Sequence, residues 1–274
     1  MSMKGKISDA LLYLVAFVMI QLLVTYAVYF CWAWAGGQPS KEILSSMANG
    51  TMPMTAIQTI VIQTVFSVIV LVVFLALRWS RVSRSYLKSK PVGVLFWSAI
   101  AALGTIIPSE VFLELVSLPD LSSEVLREVM TTRGGYLAVC IFAPLVEELV
   151  FRGAILRVLL DGMRHHWGAI VVSALIFAVV HVNPAQMPHA FCIGLLIGWM
   201  YYRTRSVIPG IMLHWVNNTV AYAVCVIYPQ YQDARVIDLM GGSYLKVGLA
   251  VVFSLMIFLP AVAQLHQRLR RADE

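Results

Sequence analysis

The chain has 274 residues, 60% of them hydrophobic and only 12% charged, with a formal net charge of +6 and a mean hydropathy of +0.81. Soluble domains carry about 25% charged residues, so a soluble globular class is excluded and a polytopic membrane protein is expected. The expected fold class is all-α: a transmembrane helical bundle of about eight helices, with any active site in a membrane-embedded cavity.

Crossing about 30 Å of hydrocarbon takes roughly 20 apolar residues in a helix. In chain order the candidate spans are Ala10–Trp34, Ile57–Leu77, Val92–Leu115, Tyr136–Leu156, Gly168–Val182, Met187–Tyr202, Val207–Ile227 and Leu245–Leu265. The first is preceded by Lys4 and Lys6 and followed by "AWAG" (33–36). Its apolar run exceeds the roughly 7–15 residues of a signal-peptide core, so an uncleaved helix is expected. The fifth and sixth are short and are separated by "NPAQMP" (183–188), which is compatible with tilted, kinked or partly embedded helices. No internal repeat or long linker appears, so one integral membrane domain over 1–274 is expected.

Of the 20 Lys and Arg residues, Arg152 lies within a span, and Lys41, Arg127, Arg133, Arg235 and Lys246 fall on one side of the alternating loops. The other fourteen fall on the side of the amino terminus. The positive-inside rule then puts both termini in the cytoplasm and makes the basic charge topogenic, leaving a nucleic-acid partner nothing to explain. Cys31, Cys140, Cys192 and Cys225 lie in or at the ends of spans without paired spacing. They read as small core residues and not as disulfides or metal ligands.

The informative residues are the polar ones at membrane depth, where an ionisable group costs about 2.5–3.5 kcal/mol on insertion scales and marks a functional site by default. Glu147, Glu148 and Arg152 lie in the fourth span, His181 in the fifth, and His214, Asn217 and Asn218 in the seventh. Glu110 and Glu114, near an end of the third span, read as headgroup contacts or local pairs. His189 and the pair His165–His166 read as packing residues or helix–helix contacts. Gly194 and Gly198 form a G-x-x-x-G that suits close packing inside the domain. The N-x-T sequence at Asn49 reads as chance.

Adjacent residues on an α-helix point about 100° apart, so Glu147 and Glu148 are not expected to face the same partner. Glu148 and Arg152 stand at i and i+4, acid first, the better orientation for an ion pair, and Glu147 is left unassigned. At about 1.5 Å per residue, Glu147, His181 and His214 lie about 14, 20 and 10 Å from the inner ends of their spans. Within the error of helix ends read from sequence they share one stratum and can meet in one cavity. A carboxylate and an imidazole that reach one water can remove its proton. An imidazole and a carboxamide one turn apart, as His214 and Asn218 are, can stabilise an oxyanion. That chemistry is amide hydrolysis without a covalent intermediate.

"EELVFR" (147–152), "FAVVH" (177–181) and "HWVNN" (214–218) match, in order, the EExxxR, FxxxH and HxxxN motifs of the CPBP family, which groups type II CAAX prenyl endopeptidases with Abi-like bacteriocin-processing and immunity proteins. The stretch 194–214 also looks like the sixth helix, tight turn and seventh helix of that family. The resemblance divides the chain into amino-terminal helices (1–135), a CPBP-like catalytic core (136–222) and a last helix and tail (223–274). It implies an intramembrane endopeptidase of the glutamic type, with Glu147 as general base, His181 sharing the attacking water, and His214 and Asn218 as the oxyanion site. Glu148 and Arg152 then support the architecture, and Phe177 packs beneath His181; the helical wheel alone does not exclude Glu148 as the base.

No cofactor is expected under this reading. Glu147, His181 and His214 are also a competent zinc set, with water in a fourth place, although there is no HExxH. The expected partners are the lipid bilayer and a membrane-associated peptide or lipidated protein substrate. Two other classes remain: a non-catalytic scaffold or immunity protein of the same fold, and a transporter, for which no inverted repeat is seen.

Overall fold

The computed structural model describes residues 3–231 and 234–271, and among these there is no strand. Each of the eight expected spans is helical. They are α1 (Met3–Ala35), α2 (Ala56–Ala76), α3 (Val92–Val116), a composite α4, α5 (His166–Val179), α6 (Met187–Thr204), α7 (Ile208–Ile227) and α8 (Tyr244–Arg268). Helix α4 runs without a break through Leu137–Phe142, Ala143–Glu147, Glu148–Leu156 and Arg157–Gly162, the first and third segments being wound as π-helix. Helices α1, α2, α3, α7 and α8 are long and apolar enough to cross a membrane. Their outward faces expose Leu23, Val72, Phe96, Phe253 and Met256, a surface that water would not tolerate and lipid does. The protein is therefore an integral membrane protein.

The central helices are shorter or more polar. Helix α5 has 14 residues, a rise of about 21 Å, short of a full crossing by itself. It stops at Val179 and not at Val182 as the apolar pattern suggested, because Val182 takes a positive φ of 53° and Asn183–Pro184 follow, where proline disfavours a helical predecessor. Four short helices, Ser40–Ala48, Arg84–Lys88, Ser123–Thr131 and Val236–Leu239, are too short for a hydropathy window to find. Glu114 makes a long-range contact in place of the expected local pair, its carboxylate accepting the backbone N–H of Val236 at the start of the last of these.

Two apolar cores meet at α6. On one side Phe17, Phe66, Phe151 and Phe177 join α1, α2, α4 and α5 in an edge-to-face series with centroids 5.2–5.3 Å apart. On the other, Ala101, Ile197, Leu213 and Ala261 join α3, α6, α7 and α8. Close approach depends on glycine. A Cβ at Gly104 would stand 2.8 Å from the Phe258 backbone, and one at Gly198 2.9 Å from Ile170 Cγ2. The G-x-x-x-G of α6 thus packs against α5 within the chain, as expected.

Candidate active site

Glu147, Phe177, His181, His214 and Asn218 line one cavity of about 430 Å³, whereas Glu148 and Arg152 do not. The side chain of Glu147 is 23% exposed and that of Glu148 0%, so the two adjacent carboxylates occupy different environments. Cavity-facing and buried acids are separated at the point where α4 changes from α to π winding, between Glu147 and Glu148.

Behind the cavity, Arg152 Nη1 donates to Glu148 Oε1 at 2.9 Å, the expected i, i+4 pair. Arg152 also donates from Nη2 to the Gly194 carbonyl at 3.4 Å and lies 4.3 Å above the Phe177 ring, so one buried cation ties α4, α5 and α6 together. Glu148 Oε1 accepts a second bond, from His214 Nδ1 at 3.0 Å. Because Glu148 faces a guanidinium as an anion, Nδ1 is the protonated donor. The other ring nitrogen, Nε2, stands 3.8 Å from Glu147 Oε2. The expectation that Glu147 and Glu148 would not share a partner is thereby corrected. An imidazole offers two nitrogens on different edges of its ring, so His214 bridges both. A Cβ at Gly210 would meet Ile197 at 2.5 Å and Glu148 Oε2 at 3.1 Å; only glycine there lets α7 bring His214 this close.

His181 lies beyond the end of α5, not in the helix. Its Nδ1 donates to the Phe177 carbonyl at 2.8 Å, occupying one of the unpaired carbonyls of the last turn and leaving Nε2 as the acceptor nitrogen. The Phe177 ring meets His181 edge-on at 4.8 Å and His214 at 5.9 Å. It therefore positions both imidazoles besides filling the core. The π-winding of α4 leaves carbonyls for outside donors: Asn218 Nδ2 donates to Val139 O at 3.0 Å and Ser173 Oγ to Phe151 O at 3.2 Å.

The cavity has a cover that the sequence did not reveal. Ser122, Val125, Leu126, Val129 and Met130, at or in the short helix Ser123–Thr131, line it. Buried Asn183 moors that helix, accepting from Leu121 N–H at 3.1 Å and donating to Asp120 at 2.9 Å and Ser122 at 2.8 Å. His189 and Asn217 also line the cavity. The expected helix–helix contact of His189 is present, to Asn217 at 3.2 Å, but the cavity position was not foreseen. Its one sequence signal was closeness to His181 across the "NPAQMP" turn. Among the described residues no group of three His, Cys, Asp or Glu side chains stands close enough to hold a metal ion.

Residues 131–220 match the model of one protein family, the type II CAAX prenyl endopeptidase Rce1-like family. The matched stretch contains every motif residue named above. Neither the curated proteins nor the solved structures yielded a match.

Proposed function

Starting from a chain that carries an Rce1-like domain over residues 131–220, we propose that the protein is an intramembrane endopeptidase that hydrolyses a peptide bond in a membrane-tethered or hydrophobic peptide. Glu147 takes a proton from water while His181 Nε2 holds that water as acceptor. The hydroxyl oxygen adds to the carbonyl carbon, and the resulting oxyanion accepts from Asn218 Nδ2–H and from His214 when its Nε2 also carries a proton. Collapse breaks the C–N bond, and the leaving amine takes the proton from Glu147. Glu148 orients His214 through Nδ1, and Arg152 holds the Glu148 carboxylate in place from the other side. Both termini are cytoplasmic in this reading.

The observation that carries the proposal is the separation of two neighbouring carboxylates, one in the cavity wall beside His214 and one sealed against Arg152. The test is cleavage by the purified protein of matched peptides with and without a prenyl group, beside the Glu147→Ala variant. Cleavage that depends on Glu147 and survives a chelator supports it. Activity lost to a chelator and restored by zinc would overturn the metal-free mechanism. A peptide processed equally by Glu147→Ala would overturn the site.

A further inference from the structure

Among the residues lining the cavity, one carries a buried side-chain atom without a hydrogen-bond partner among the described residues. His189, near the start of α6, lies in electrostatic reach of His181 and His214. Its Nδ1 is buried and finds no hydrogen-bond partner among the described residues. A series of bonds sets what that nitrogen can do. The Val139 carbonyl can only accept, so the Asn218 atom 3.0 Å from it is Nδ2. Asn218 Oδ1 then accepts from Asn217 Nδ2 at 3.2 Å, which turns Asn217 Oδ1 toward His189 Nε2, 3.2 Å away. Oδ1 cannot donate, so Nε2 carries the proton, and neutral His189 has a bare lone pair on Nδ1.

A buried acceptor without a donor is costly and is normally satisfied. In the proposed mechanism Asn218 Nδ2 is the donor for a carbonyl oxygen, and an extended peptide presents carbonyl and N–H groups in alternation along its backbone. Asn218 and His189 are the two ends of one series of side chains, a donor at one end and an acceptor at the other. We propose that His189 Nδ1 is a substrate-binding group that accepts a non-scissile backbone N–H of the peptide in the cavity. The proposal rests on the endopeptidase reading for the identity of the ligand. It makes the site select against a residue without an N–H, such as proline, at one position of the substrate.

The probe is a farnesylated peptide ending in Cys-aliphatic-aliphatic-Met, with analogues in which each non-scissile backbone amide in turn is replaced by an ester. With the full chain in detergent, one ester analogue is expected to be cut about five- to ten-fold less efficiently in kcat/KM than the amide, the scale of one neutral hydrogen bond. His189→Phe is expected to lose the same factor on the amide and to stop distinguishing that ester. Independently of turnover and of how His189→Phe folds, the Glu147→Gln chain carrying ¹⁵N-histidine is expected to show a bare His189 Nδ1. Its resonance moves when the amide peptide is added and stays in place with that one ester. Equal treatment of all esters by the wild-type chain, a proton on Nδ1 in the free protein, or a resonance unmoved at saturating peptide would overturn the inference. A moved resonance in Glu147→Gln together with no cleavage of the same peptide by the wild-type chain would instead retire the endopeptidase reading and leave the binding group standing.

Discussion

The two faces of α4 at Glu147–Arg152 carry the same chemical group in opposite conditions. On the cavity face Glu147 keeps partial exposure and stands 3.8 Å from His214 Nε2. On the rear face Glu148 is sealed, accepts two charge-assisted bonds through one oxygen, and has no partner for its second oxygen among the described residues. A carboxylate bound this way is a poor proton acceptor for a substrate water and a good orienting group. A one-residue step across an α-to-π junction is enough to give two neighbouring carboxylates different surroundings, with His214 as the link between them.

That division breaks most visibly at the rear. Arg152→Met leaves Glu148 as an uncompensated buried charge and is expected to cost about 3–5 kcal/mol of stability, measured as a lowered unfolding temperature in detergent. Adding Glu148→Gln to it should recover part of the loss, because the charge is removed with its partner. At the front, Asn218→Ala is expected to keep the fold and lower kcat by about 10²–10³ with little change in KM, the effect of losing one oxyanion donor. Gly210→Ala lies between the faces. Its new methyl would press on Ile197 and Glu148 and should cost about 1–3 kcal/mol of stability. Displacing His214 should reduce turnover as well.

The helices that face lipid were legible in the sequence because hydropathy alone specifies them. The i, i+4 spacing of Glu148 and Arg152 likewise exposed their pairing, since both lie on one turn. Three features were not legible. The π segments of α4 depend on donors from other helices, Asn218 and Ser173 among them, so no local pattern announces them. The end of α5 is decided by Val182 and by Asn183, whose partners lie about sixty residues upstream. The cover helix Ser123–Thr131 is amphipathic and short, polar where the spans are apolar, and a search for buried charge passes over it. His189 was visible as a residue but not as a cavity group, because its role depends on Asn217 of a neighbouring helix.

The central claim is that Glu147, and not Glu148, does the chemistry. Glu147→Gln, nearly isosteric and neutral, is the direct measurement, with peptide cleavage and thermal unfolding recorded on the same purified sample. The account predicts a loss of cleavage of about 10²–10⁴, the usual range for a general base, with the unfolding temperature preserved. A Glu147→Gln protein that still cleaves at near wild-type rate, or one that loses activity only because it no longer folds, would contradict it.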